Sequence, residues 1–158
     1  MNRRPNPRDI TQLRTQLMAM SRRLRREAQI DDQSWARLLV LGAIDRHGGS
    51  ATPSVLAADE GMQSSNLAAA LRDLEAQKLI VRTQDAEDRR KVRVRLSAAG
   101  QKLLCDNRAR RERWLTETMN ACLTAAECAD LIKAGPLLER ILAYPESGTP
   151  HKATGTRK

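Results

Sequence analysis

The chain has 158 residues, room for one domain with appendages, and a chain of that length buries roughly two-thirds of its unfolded surface. Apolar residues make up 41% but include no Phe, one Tyr and two Trp, which excludes an aromatic core and favours helices packed through Leu, Ala, Val and Ile. The net charge of +9 asks for an anionic partner, with nucleic acid ahead of a membrane surface, and the longest apolar run, LLVLGAI, is too short to cross a bilayer.

Residues 1–8 contain Pro5 and Pro7 and read as a flexible arm without the apolar core of a signal peptide. Then Ile10, Leu13, Leu17, Met20 and Leu24 recur at spacings of three and four, which predicts a helix over about 9–28. Its stripe is narrow, as a helix–helix seam requires, and broader helix faces are what globular cores use. The stretch DQSWARLLVLGAIDR follows, with apolar residues nearly all round, so a central buried helix is expected, stopped by Gly48 and Gly49. TPSVLAADEG predicts a short helix capped by Thr52, begun by Pro53 and ended by a left-handed Gly61. Leu67, Leu71 and Leu74 then mark the inward face of another helix, with Gln63, Ser64 or Ser65 at its start. Two helices around a Gly-containing turn form a helix-turn-helix.

LIVRT (79–83) and VRVRL (92–96) read as strands joined by the polar stretch 84–91, giving a basic β-hairpin. Helix, turn, helix and basic hairpin together make a winged helix. Ser97 can cap a helix running to about 121, and Thr124 with Glu127 spells a capping box before a last helix carrying Leu131, Ile132, Leu138, Ile141 and Leu142. Gly135-Pro136 should kink or briefly break it, because proline donates no amide hydrogen. The tail 144–158 is polar and expected to be disordered. The fold class expected is mainly α with a small β-hairpin (α+β): a winged helix-turn-helix at 31–96, with dimerisation helices at 9–30 and 97–143.

Charge and small side chains locate the candidate chemistry. Once its leucines are buried, the helix from residue 64 turns Ser65, Ala69, Arg72 and Ala76 outward, and the alanines allow close approach to another surface. Gln63, Ser64, Ser65 and Asn66 gather amides and hydroxyls at a helix start, where backbone N–H groups favour phosphate and Gln or Asn can pair with adenine in the major groove. On the hairpin, Val92, Val94 and Leu96 should point inward and Arg93 and Arg95 outward, with Asp88, Arg89, Arg90 and Lys91 at the tip. A flat guanidinium suits a narrow minor groove, and Asp88 stands two residues before Arg90, where it can hold it. Ordinary solvated faces would account for each feature singly, but not for a basic hairpin directly behind a helix-turn-helix.

LRDLEAQKLIVR (71–82) and DAEDRRKVRVRLSAAG (85–100) carry a pattern of D-x-R, an alternating strand and then L-[ST]-x-x-G. This resembles the MarR family of bacterial winged-helix transcription factors, with agreement over roughly residues 9–143. The resemblance implies a homodimer clasped through Ile10, Leu13, Leu17 and Met20 and through Leu131, Leu138, Ile141 and Leu142. It implies helix 63–77 in the major groove of double-stranded DNA, Arg90 in the minor groove oriented by Asp88, and an inverted-repeat operator. Repression is the family's commoner mode. Many members bind a small aromatic effector, for which Met18, Arg22, Trp35, Leu38 and Trp114 are candidate walls, although the same residues fill a core equally well.

The remaining expectations are negative or open. His47 and His151 are too few for a metal site, no phosphate loop or nucleophile arrangement suggests an enzyme, and no cofactor is expected. Cys105, Cys122 and Cys128 form no CxxC, which fits reduced thiols in the cytoplasm, packed as small hydrophobes. The alternatives left standing are a winged-helix protein-interaction module and a thiol redox-responsive regulator.

Overall fold

A computed structural model describes residues 5–28, 32–85, 88 and 91–144. Six helices and one hairpin follow in the order α1 (Pro7–Glu27), α2 (Asp32–Arg46), α3 (Pro53–Asp59), α4 (Ser64–Ala76), β1 (Ile80–Gln84), β2 (Val92–Leu96), α5 (Ala98–Cys122) and α6 (Ala125–Leu142). The fold is mainly helical with a two-stranded antiparallel sheet, as the sequence pattern leads one to expect. The chain divides into two compact units, one ending at Leu115 and one beginning at Thr116.

In the first unit the core is aliphatic. Leu38, Val40, Leu41 and Ile44 of α2, Leu56 of α3, Leu67, Leu71 and Leu74 of α4, Ile80 of β1, Val94 of β2 and Leu104 of α5 are all buried together. Among the described residues one polar residue joins the buried set: Asn107 of α5 is fully enclosed, and its side-chain amide finds no hydrogen-bond partner among them. α1 starts at Pro7, three residues before the apolar spacing begins at Ile10, because Asn6 accepts from the Arg8 N–H at 3.0 Å and proline fits a first turn. The expected arm is therefore shorter than eight residues, and residues 1–4 lie outside the described chain. α1 buries no residue of its own.

Local punctuation works by several devices. Gly48 and Gly49 take φ of 58° and 82° after α2, and Gly61 takes 59° after α3. Thr52 and Gln63 occupy cap positions but make no side-chain cap bond; the Thr52 hydroxyl sits 3.1 Å from that of Ser54 instead. Two side-chain contacts tie the end of α2 to the end of α3, the Arg46–Glu60 ion pair and the His47 Nε2–Asp59 carboxylate hydrogen bond, both at 2.6 Å. α4 closes in a Schellman motif: the Leu79 N–H donates to the Leu74 carbonyl and the Lys78 N–H to that of Glu75, both at 2.9 Å, with Lys78 left-handed at φ 58°. β1 begins at Ile80, one residue later than expected, because Leu79 completes this motif.

The hairpin pairs Ile80 with Leu96 through to Gln84 with Val92. An isolated bridge joins Ala51 to Val94, so the wing is anchored to the α2–α3 connector. Ser97 begins α5 as expected: its hydroxyl accepts from the Gly100 N–H at 3.0 Å and donates to the Lys78 carbonyl at 2.7 Å. Gly100 has no alternative, since a Cβ there would stand 2.0 Å from the Leu79 carbonyl oxygen.

In the second unit the last turns of α5 lead into α6 through the capping box the sequence spells. Glu127 N–H donates to the Thr124 hydroxyl at 3.3 Å, and Thr124 N–H donates back to the Glu127 carboxylate at 2.8 Å. These bonds hold the Glu127 carboxyl below its ordinary pKa, the backbone N–H first and the Thr124 hydroxyl second. Of the kink or brief break expected at Gly135-Pro136, the break does not occur. α6 runs through Pro136, whose ring removes a single donor and leaves the other helical bonds to carry the turn. Of the expected tail, Tyr144 is described and exposed, and the rest lies outside the described residues.

Candidate nucleic-acid interface

α4 sorts its side chains cleanly. Leu67, Leu71 and Leu74 are buried, while Gln63, Ser64, Ser65, Asn66, Ala69, Arg72 and Ala76 are exposed. The first backbone N–H groups of a helix have no partner inside it, so this start presents donors and the positive end of the helix dipole together. Two carboxylates sit on the same helix, and both are neutralised from behind. Asp73 pairs with Arg37 of α2 at 2.6 Å, and Glu75 pairs with Arg82 of β1 at 3.0 Å. The outward face keeps Arg72 as its cation, with no ion pair among the described residues.

The wing is more heavily braced than the pattern of the sequence suggests. Val94 is buried, Val92 and Leu96 are half-buried, and Arg95 is exposed, all as expected. Arg95 runs its stem across Gly49, where an added Cβ would meet it at 3.1 Å. Arg93 departs from the expectation: it is half-buried, its Nε donates to the Asp85 carboxylate at 2.5 Å, and its Nη1 donates to the Ser50 carbonyl. Lys91 is exposed, with its ammonium 3.6 Å from the Asp88 carboxylate. Arg89 and Arg90 lie outside the described residues, and so does the expected pairing of Asp88 with Arg90. Asp85 was not singled out by the sequence; its only signal is an Asp at a strand end, where such side chains bind nearby backbone.

The effector walls fare unevenly. Trp35 and Leu38 share a cleft of about 190 Å³ with Leu39, Gly42, Arg46, Leu104, Arg108 and Arg111. Met18 and Arg22 are exposed elsewhere on α1, and Trp114 carries Arg23 over its ring at 5.3 Å. Met18 misses because the α1 residue that does face α5 is Leu24, and six residues turn a helix by about 240°. Leu24 lines a second cleft of about 330 Å³ with Arg108, Arg111, Glu112 and Leu115. Guanidinium groups dominate this corner. Arg25 and Arg111 stand over the Trp35 ring at 5.0 and 5.5 Å, and Arg108 holds Asp45 at 2.7 Å. Burial, and then the neighbouring Arg108, push the Arg111 pKa below its ordinary value. Arg108 and Arg111 were not singled out from the sequence, where the candidate cation was placed on α1; the spacing of Leu104, Arg108, Arg111 and Leu115 was the available signal.

In the single chain Cys105 and Cys122 are exposed and Cys128 is half-buried. Cys105 follows the buried Leu104, and one step turns a helix by about 100°, out of the core. Among the described residues no His, Cys, Asp or Glu group is placed to hold a metal ion, and no helix is long and apolar enough to cross a membrane.

Comparison with known proteins decides the family. The MarR family model matches residues 31–91, which span α2 to the wing. A protein from Pseudomonas aeruginosa PA01, assigned as a transcriptional regulator, is 51% identical, with 89% of this chain and 100% of that one covered at a TM-score of 0.80. The chain belongs to the MarR family. Two more distant MarR-type structures share the fold, each 23% identical. A mutant of MarR from E. coli covers 89% of this chain and 99% of its own at a TM-score of 0.66. A mutant of MepR from S. aureus, bound to an oligodeoxyribonucleotide, covers 84% and 94% at 0.60. No curated protein sequence matches. The fold is that of a DNA-binding transcriptional regulator, and the MarR family is one of regulators and not of enzymes.

Proposed function

We propose that this MarR-family chain is a homodimeric, sequence-specific DNA-binding regulator, acting as a repressor on an inverted-repeat operator in the cytoplasm. The observation that carries the reading is the outward face of α4, where Ser64, Ser65, Asn66, Ala69 and Arg72 stand exposed over a fully buried leucine row. Small side chains let the helix enter the major groove, with Gln63 and Asn66 reading base edges and the helix start taking a phosphate. Arg89, Arg90 and Lys91 at the wing tip engage the neighbouring backbone and minor groove.

A second copy supplies what the terminal helices lack. Ile10, Leu13, Leu17 and Met20 on α1, and Leu131, Leu138, Ile141 and Leu142 on α6, are all exposed in the single chain. Apolar rows of that length normally mark a protein contact. Two-fold symmetry would set the reading helices about 34–36 Å apart.

The arginine-lined clefts around Trp35 suit a small aromatic anion, and we assign effector release to them: an aromatic ring for Trp35 and Leu38, a negative charge for Arg108 and Arg111. Selection of bound duplexes from random DNA tests the whole reading. Recovery of a two-fold symmetric site is expected, and recovery of no enriched sequence would overturn it.

A further inference from the structure

One carboxylate organises the wing. Asp85 follows β1, and its side chain is only 10% exposed. One of its oxygens accepts from the Asp88 N–H at 2.9 Å, and the other accepts from Arg93 Nε at 2.5 Å. Its own N–H donates to the Lys91 carbonyl at 2.9 Å, and the Lys91 N–H donates to the Asp88 carbonyl at 2.8 Å. Both legs of the hairpin tip therefore close on a single residue. Arg93 extends this clamp away from the tip, because its Nη1 donates to the Ser50 carbonyl while the adjacent Val94 N–H donates to the Ala51 carbonyl at 2.9 Å. Ser50 and Ala51 form the connector from α2 to α3, the frame on which α4 is mounted.

We propose that Asp85 and Arg93 are positioning residues for DNA binding, fixing the direction in which the wing tip leaves the sheet relative to α4. This rests on the reading of the wing as a minor-groove element. A tip of polar residues gains nothing from a core, so its orientation must come from a few directed bonds. A tip fixed before DNA arrives loses less freedom on binding, which raises affinity without adding a contact. Two of the three guanidinium nitrogens of Arg93 are already engaged within the chain, so its contribution comes through the wing and not through a phosphate of its own. The Asp85–Arg93 pair acts at the base of the tip.

The test is a set of titrations by fluorescence anisotropy, using the full-length protein and the duplex recovered by selection, at one fixed salt concentration. Asp85→Ala and Arg93→Gln should each weaken binding about tenfold, and the double variant should be no weaker than either, because both break one clamp. In an Arg90→Ala background the Asp85→Ala loss should shrink to within about twofold, since a tip without its arginine gains little from being aimed. A purely structural role would leave that loss undiminished. Asp85→Asn keeps an acceptor for the Asp88 N–H and should fall between wild type and Asp85→Ala, which keeps the test usable if the alanine variant folds poorly. Wild-type affinity for Asp85→Ala, or losses that multiply in either double variant, would overturn the clamp. Unchanged binding by Arg90→Ala alone would instead overturn the wing reading beneath it.

Discussion

Gly100 illustrates how far a single atom reaches. Its hydrogen faces the Leu79 carbonyl where a methyl carbon would stand 2.0 Å away, and Ser97, three residues earlier, ties the same junction through Lys78. Gly100→Ala should therefore cost about 2–3 kcal/mol or more in urea unfolding, at the upper end of overpacking penalties. Ser97→Ala should cost about 1 kcal/mol as a lost cap. The L-[ST]-x-x-G pattern announced both residues, and the contacts explain why the pattern exists. Asp85 was not legible in the same way, because its partners include backbone groups of the hairpin and an arginine eight residues on. No periodicity marks such a site. On the proposed base-reading role of α4, Asn66→Ala should change which duplexes are preferred, while Lys91→Ala should weaken all of them about equally. Competition titrations against operator and scrambled duplexes separate the two, and equal loss for Asn66→Ala on every duplex would argue against base reading.

Elements were easier to foresee than their ends. The leucine rows of α4 and the alternation in β2 fixed both elements to within a residue or two, since burial enforces those periods. The cap of α3 did not follow its residue type, because Thr52 turned to Ser54. Gly135-Pro136 likewise reads as a kink or brief break when the chain is scanned locally, yet α6 continues unbroken on its remaining bonds. The capping box of α6 gives an element-scale prediction with a definite sign. The Glu127 pKa is lowered in the folded chain, so its contribution is present above the ordinary glutamate value of about 4.3 and is lost as pH falls through the folded value. Thermal unfolding of wild type and Glu127→Gln should differ at pH 7, and the difference should shrink on acidification. For α1, a charge in the middle of the exposed row should be decisive. Leu17→Glu should shift sedimentation from dimer toward monomer, and an unchanged sedimentation coefficient would remove α1 from the seam.

Within the first unit, the positive charge of the described residues gathers in two places. One group faces outward from α4 and the wing; the other gathers round Trp35, where Arg25, Arg108 and Arg111 converge with Asp45 and Glu112 close by. The net charge of +9 suggested a polyanion but could not reveal this division, which depends on the turn of α5 that brings Arg108 and Arg111 to one side. If about 6–10 phosphates are contacted, operator affinity should fall roughly 10³–10⁵-fold between 50 and 200 mM salt. A near-flat response would favour a protein partner with an apolar centre over DNA.

Lys78 holds a backbone shape that costs a residue with a side chain about 1–2 kcal/mol and costs glycine almost nothing. The chain thus contains unspent thermal headroom at the exit of α4, on a residue whose side chain makes no ion pair or hydrogen bond among the described residues. Exchanging that lysine for glycine should lift the melting temperature by a few degrees, and so furnish a sturdier background in which the more damaging wing variants can still be handled.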